Sequence, residues 1–482
     1  MGFPELGWSH ALFLLVVLTV QVMLATSVLL RPQVRQSSSL AWILVILLLP
    51  GLGILCWLIF GEVRIGRKRM QRHATIQDEI NTQLASMWSR RSEQIELTET
   101  EKAVARIGQA VCNTDPRIGN EVELLADTDE VVRRMITDID AAQTSVRILV
   151  YIWLPDTNGT SMAHAVARAA QRGVACRVLV DHSGSSTLLR SKLKTLMTDA
   201  GAQVVGALKP PFPPFITQRL DVRNHRKLVV IDGEIGWTGS QNIADASFAP
   251  KAAYAPWVDC MLRLVGPVVA DLSELFIEDW ALDTGESLVD KLRLPEVRPA
   301  NIHVQVIGTG PNSLNEAHAQ MLQAAIHMAH EEIILTTPYF VPDEGTLSAL
   351  TTAARRGVEV TLVVPQNNDS ALVGAASRSF YARMLKAGVR IREYTAGLLH
   401  AKTFTVDRSL AYVGSANLDR RSFEINFEVS TLIFDSDFAS HLRLLQRTYM
   451  ESTVEVNPFN WSKRSAWQRA TQNAAGLLGP LL

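Results

Sequence analysis

Two stretches decide the reading of this chain. They are Asn224-His225-Arg226-Lys227-Leu228-Val229-Val230-Ile231-Asp232 and Leu399-His400-Ala401-Lys402-Thr403-Phe404-Thr405-Val406-Asp407. Both follow the pattern H-x-K-x-x-x-x-D. The 482 residues hold 11 His, 47 Lys+Arg and 48 Asp+Glu, so a His with a base at +2 and an acid at +7 is expected 11 × (47/482) × (48/482), or about 0.1 times. Two copies stand here, and the echo continues past the motif. Ser240 and Ser415, each preceded by a glycine, follow their histidines by the same interval, and so do Asn242 and Asn417.

Side chains two apart on a strand share a face, so His-x-Lys presents an imidazole and an ammonium together. The residues after each lysine, Leu228 to Ile231 and Thr403 to Val406, bury the strand. A Gly-Ser turn with an asparagine two positions on adds small hydrogen-bonding groups. Duplicated, the set offers two imidazoles, two ammonium groups, two hydroxyls and two amides. That combination suits a phosphodiester, with cations for its oxygens and imidazoles for attack and proton transfer.

Outward from the motifs the chain alternates strand-like and helix-like runs, the pattern of an α/β sheet. SVRILVYIW, SMAHAVARAAQRGV and CRVLVD read as strand, helix and strand, and EEIILTTPYFVPD, GTLSALTTAARRGV and EVTLVVP repeat that order. Gly173 and Gly357 stand at corresponding helix ends. DKLRLPEVRPA, residues 290–300, marks a seam. The expected organisation is two pseudo-repeated α/β domains, 119–290 and 291–456, with the site at their interface.

Upstream lie two long uncharged runs, about 11–30 and 40–60, each long enough to cross a bilayer core as a helix. They predict a transmembrane hairpin within residues 1–72. The first run is long for a signal-peptide core and lacks a clear A-x-A site. Arg64, Arg67, Lys68, Arg69 and Arg72 follow the second run, against Arg31 and Arg35 in the turn, which predicts a cytoplasmic C-terminal part. The same basic run suits an anionic membrane surface. Residues 73–118 read as a helical linker. Lys209-Pro210-Pro211-Phe212-Pro213-Pro214-Phe215 reads as a stiff apolar loop, either a rigid connection or a lip at the mouth of the site, and the tail 457–482, with Trp461, Lys463, Arg464, Trp467 and Arg469, as an interfacial segment.

Composition narrows the classes. Hydrophobic residues make up 47% of the chain, which excludes global disorder. A net charge of -1 argues against a nucleic-acid binder. Cys56, Cys112, Cys176 and Cys260 have neither disulfide-framework nor zinc spacing. Asp181-His182 and His327 with His330 lack a third ligand, so no metal and no cofactor is expected.

The duplicated motifs resemble the two HKD motifs of the phospholipase D superfamily. The apolar hairpin, the FGEVRIGRKR segment and the closing LLGPLL resemble bacterial cardiolipin synthases. Gly239-Ser240 departs from the Gly-Gly that many of these carry in the first copy. The resemblance implies a phosphatidyltransferase of the bacterial inner membrane. It would move a phosphatidyl group from one phosphatidylglycerol to another, giving cardiolipin and glycerol through a phosphatidyl-histidine. It implies His225 as nucleophile, His400 as acid and base, and Lys227 and Lys402 on the phosphate oxygens. Ser240, Asn242, Ser415 and Asn417 would support them. Asp232 and Asp407 complete the motifs, although their place at the strand ends suits a turn-closing role. Asp259 and Glu428, in otherwise apolar strands, are candidates to orient the imidazoles. Another phosphatidyltransferase, a lipid hydrolase and a membrane-tethered nuclease are the alternatives.

Overall fold

The computed structural model describes residues 8–30, 36–61, 66–88, 97–210, 219, 221–312 and 317–479. The chain divides into two compact units, residues 1–67 with 210–222, and residues 68–209 with 223–482.

In the first unit, the apolar helix Trp8–Leu29 is long enough to cross a membrane. The expected second span is not one helix. It divides into Gln36–Leu48 and Leu52–Phe60. Pro50 cannot donate its share of the helical ladder and pushes the residue before it out of helical geometry, and Gly51 takes φ +80°. The pieces still pack on the first helix. Gln21 Nε2 donates to the Ile46 carbonyl at 2.5 Å, and Val28, Ile46 and Trp57 are buried together. Arg31, Arg35 and Arg64 lie outside the described residues, as does the loop from Pro211 to Phe215.

The second unit is built on one continuous sheet of fifteen strands among the described residues. Its centre is a symmetric seam. Strand Arg117–Leu125 pairs antiparallel with Ile302–Thr309, and outward from each the same series follows in mirror order. In the first half the series is Met261–Val265, Ile235–Gly239, Leu228–Ile231, Ser145–Val150, Ala175–Asp181 and Gln203–Ala207. In the second it is Glu428–Phe434, Leu410–Gly414, Thr403–Val406, Glu332–Thr336, Glu359–Pro365 and Arg390–Tyr394. Each motif therefore leads into the fourth strand out from the seam, and the pseudo-two-fold relation carries one motif onto the other.

Helices cover both faces, as the parallel pairs at each wing require. Val269–Thr284 is buried along most of its length and runs behind the first motif. The linker expected at 73–118 comprises the helices Arg67–Trp88 and Glu99–Cys112. The basic flank is partly engaged by protein. Arg69 makes a bidentate pair with Asp283 at 2.7 and 3.1 Å, and Arg72 donates to the Leu282 carbonyl. Those two arginines therefore hold the Arg67–Trp88 helix on the sheet domain, which departs from a flank devoted to lipid. In the tail, Trp461 packs on Tyr381 with ring centroids 5.0 Å apart, and Ala475 is buried with Ala376 and Val341. Trp467 alone of the two tryptophans stays exposed, at 77%. The Trp461 part of the expected interfacial segment is thus a packing anchor.

Candidate active site

The extended backbone at the first motif alternates as its spacing requires. Asn224 and Arg226 point behind the sheet, where both donate to Asp279 Oδ2 at 2.9 Å. His225 and Lys227 therefore share the opposite face. Each motif is held by the other half of the chain. The His225 N–H donates to the Phe427 carbonyl at 2.8 Å, and the His400 N–H donates to the Val258 carbonyl at 2.8 Å.

That exchange decides the partners of the imidazoles. His225 Nδ1 lies 2.9 Å from Glu428 Oε2, and His400 Nδ1 lies 2.7 Å from Asp259 Oδ1. Each carboxylate lies downstream of one histidine in sequence and orients the histidine of the other half. All four groups are buried. The Nδ1 positions being taken, the Nε2 atoms are left to face a substrate. Ser240 Oγ donates to Asp259 Oδ1 at 2.6 Å, and Ser415 Oγ donates to Glu428 Oε2 at 2.5 Å. The serine hydroxyls also accept from the N–H of Cys260 and of Val429, so each serine links a carboxylate to its own strand. The glycine before each serine follows from crowding. A Cβ at Gly239 would sit 2.5 Å from the Cys260 carbonyl oxygen, and one at Gly414 would sit 3.0 Å from the Ser430 Cα.

Lys227 Nζ and Lys402 Nζ donate to the carbonyls of His225 and His400 at 2.8 and 2.7 Å, and both lysines are buried. Asn242 Oδ1 accepts from the Ile152 N–H, and the Asn417 N–H donates to Ser422 Oγ. Asn417 Oδ1 is buried without a hydrogen-bond partner. Asp232 and Asp407 are not in this pocket. They accept from the N–H groups of Gln143, Thr144 and Ser145, and of His330, Glu331 and Glu332. Five residues of extended chain, about 17 Å, separate each from its lysine. Both therefore close turns at the strand ends, apart from the imidazoles and lysines of their motifs.

Electrostatics follow from burial. Desolvation, together with the charges of Lys227 and Lys402, lowers the His225 pKa to about 4 against the pull of Glu428. His400 is lowered too, chiefly by burial and then by both lysines, with Asp259 opposing. The lysines are depressed by burial, Lys227 to about 7, with Lys402 adding repulsion, and Lys402 to about 8. Burial works to raise Glu428 and Asp259. The imidazoles and lysines outweigh it and hold both carboxyls ionised, at about 2. The site thus combines two carboxylates, two neutral imidazoles and two lysines whose charge an anion would favour.

Aromatic walls complete the site. Tyr151 meets His225 edge-on with centroids 4.8 Å apart, and Trp257 tilts on His400 at 4.6 Å. Motif reasoning missed both. Trp257 was within reach, because it stands two residues before Asp259 on an extended segment and so shares its face. Tyr151, just past the strand Ser145–Val150, has no such mark. Among the described residues no three His, Cys, Asp or Glu side chains form a metal-holding group. Asp181 instead accepts from the N–H groups of Ser183, Gly184 and Asn224.

Comparison with known proteins places this geometry. The family described as "Cardiolipin synthase, PLD-like domain" matches residues 135–280 and 322–446, one segment around each motif. The chain belongs to this phospholipase D-like cardiolipin synthase family. A second family, "Phospholipase_D-nuclease N-terminal", matches residues 14–62. Cardiolipin synthase A of Edwardsiella ictaluri (strain 93-146) is 38% identical over 454 residues, covering 92% of this chain and 93% of that protein. Cardiolipin synthase A of Serratia proteamaculans (strain 568) is similar to the same extent. The phosphatidylserine synthase of Haemophilus influenzae Rd KW20 shares the fold, with a TM-score of 0.61 at 16% identity over 80% of this chain and all of that one. The phospholipase D-like family thus accounts for the mirrored halves of the sheet.

Proposed function

We propose that the chain is a membrane-bound cardiolipin synthase, converting two phosphatidylglycerol molecules into cardiolipin and glycerol. The observation that carries the reading is the pocket of two imidazoles, each oriented through Nδ1 by a carboxylate from the other half, beside two buried lysines. The lysines neutralise the phosphodiester. His225 Nε2 attacks phosphorus while the bond to the glycerol headgroup breaks, and a proton from His400 goes to the departing alkoxide. Burial lowers the His400 pKa, and the charge of a bound phosphate raises it and favours the imidazolium that donates this proton. The terminal hydroxyl of a second phosphatidylglycerol then loses its proton to His400 and attacks phosphorus, and His225 leaves. Attack is assigned to His225 as the phospholipase D resemblance implies; burial holds both imidazoles neutral, so either is competent as a nucleophile.

The apolar helices Trp8–Leu29, Gln36–Leu48 and Leu52–Phe60 anchor the enzyme in the bacterial inner membrane. The arginines and lysine after the last of them keep the catalytic domain cytoplasmic. A reporter fused at Leu482 that is active only outside the cytoplasm would reverse that orientation.

Purified enzyme in detergent with labelled phosphatidylglycerol should yield cardiolipin and one glycerol per cardiolipin, with activity unaffected by chelators. Phosphatidic acid as the main product would make the enzyme a lipid hydrolase. Loss of activity on chelation, restored by one divalent metal, would remove the metal-free mechanism.

A further inference from the structure

The pseudo-two-fold axis predicts that the surroundings of the two histidines resemble one another. They do not. The backbone identifies equivalent positions. Phe427 is clasped by the Arg223 carbonyl and the His225 N–H, the pattern of a parallel bridge centred on Asn224. Leu398 holds the place corresponding to Arg223, two residues before His400 and paired with Trp257. Similarly, the Arg421 carbonyl accepts from the Asn426 N–H as the Ala246 carbonyl accepts from the Trp257 N–H. The three matched pairs are therefore Arg223 with Leu398, Arg421 with Ala246, and Asn426 with Trp257.

The His225 side carries two arginines and an asparagine, and the His400 side a leucine, an alanine and a tryptophan whose indole N–H is buried without a hydrogen-bond partner. Trp257 stacks on Phe248 with centroids 4.0 Å apart and packs with Leu398 and Leu154 in a small apolar cluster. Opposite, Arg223 shares the face of His225, because Asn224 between them points behind the sheet to Asp279. The Arg223 carbonyl accepts from the Phe427 N–H and the Arg421 carbonyl from the Asn426 N–H, so the two arginines stand beside adjacent residues, and both act electrostatically on Tyr151, the wall of His225. Both are half-buried.

We propose that Arg223 and Arg421 form a second anion subsite, which holds the phosphate of the acceptor phospholipid. The inference rests on the synthase reading and deepens it. The reacting phosphate is served by Lys227 and Lys402, and the anionic group that a second phosphatidylglycerol brings beside the reacting atoms is its own phosphodiester. Planar guanidinium groups suit such a group through paired N–H donors. Five bonds link the attacking hydroxyl oxygen to the acceptor phosphorus, a reach of at most about 6 Å, comparable to an extended arginine side chain. Water and free glycerol carry no phosphate and gain nothing from the subsite, so it selects transfer to phosphatidylglycerol over hydrolysis and over the back reaction.

The test compares two reactions of the same purified full-length protein in detergent. One is cardiolipin formation from phosphatidylglycerol. The other is exchange of labelled glycerol into phosphatidylglycerol, which needs the donor site and both histidines but no second phosphate. In R223Q, R421Q and the double variant, cardiolipin formation relative to glycerol exchange should fall tenfold or more, and R223K and R421K should recover part of it. Phosphatidic acid should rise as water intercepts the intermediate. Equal loss of both reactions, or an unchanged ratio, overturns the subsite. Wild-type protein that exchanges glycerol but makes no cardiolipin overturns the synthase reading itself, and with it this one.

Discussion

Replacing Glu428 by Gln tests the crossed pairing of histidines and carboxylates directly. The change is isosteric and removes one charge from a fully buried position. Its Oε2 accepts from His225 Nδ1 at 2.9 Å and from Ser415 Oγ at 2.5 Å. As His225 attacks phosphorus its ring gains positive charge about 4 Å from the carboxylate centre, an attraction of about 4 kcal/mol at an effective dielectric near 20. Losing it costs about 10³ in rate, since each 1.36 kcal/mol is about tenfold. Asp259→Asn removes the partner of His400, at 2.7 Å, and should cost a similar factor with phosphatidylglycerol. The two variants separate with a phosphatidyl ester of p-nitrophenol, whose leaving group needs no proton. Asp259→Asn should then release a stoichiometric burst of nitrophenolate at near wild-type rate, because only His400 is impaired. Glu428→Gln should remain slow, because attack itself is impaired. Stopped-flow absorbance reads the burst, and a melting curve checks that each variant is folded. Rescue of Glu428→Gln and not of Asp259→Asn would show that each carboxylate serves the histidine of its own half, or that the histidine roles are reversed. Rescue of neither would remove the acid–base role assigned to His400.

With the same ester, His400→Ala should carry a phosphatidyl adduct on His225 in mass spectrometry and His225→Ala should carry none; an adduct on His400 in the latter would reverse the roles. Burial holds Lys227 at about 7 and Lys402 at about 8, so affinity for orthovanadate should be full below pH 7 and fall as pH rises through 8, by up to about tenfold per unit for each lysine that must regain a proton. Binding at pH 8 should take up protons, seen by calorimetry in two buffers of different ionisation enthalpy, and pH-independent affinity would contradict the charge reading. Backbone hydrogen bonds outweigh burial and hold the Asp232 pKa below its ordinary value, so its stabilisation is present above the unfolded pKa and lost as pH falls through the folded one. Asp232→Asn keeps the left-handed backbone and should lower unfolding stability by about 2 kcal/mol, the scale of charge-assisted hydrogen bonds, while leaving kcat/KM within about threefold. A hundredfold loss of kcat/KM in a folded Asp232→Asn protein would return it to the active site.

Much of the site was legible because it is written in local periodicity. His225 with Lys227, and His400 with Lys402, share a face through covalent geometry alone, and the repeated glycine–serine and asparagine positions announce two copies of one unit. The break in the second apolar run was legible too, in Leu49-Pro50-Gly51, and was masked by the absence of charge. Asp259 and Glu428 could be picked out because a carboxylate inside an apolar strand requires a partner.

Which partner each carboxylate takes was decided only by tertiary structure. The antiparallel pairing of Arg117–Leu125 with Ile302–Thr309 places the halves about a common axis. The carboxylate strand of each half then lies against the histidine of the other, and no spacing along the chain encodes that contact. Asp232 and Asp407 show the converse. The motif joins them to His225 and His400 in sequence, while the extended strand between carries them to the far end of the sheet. The unlike surroundings of the two histidines, arginines at His225 and aromatic packing at His400, emerge only when positions 223 and 398, or 421 and 246, are superposed by the fold. Sequence determines which groups a strand can present together, because backbone geometry is local. The fold determines which strands meet, because that depends on pairing between segments far apart in the chain.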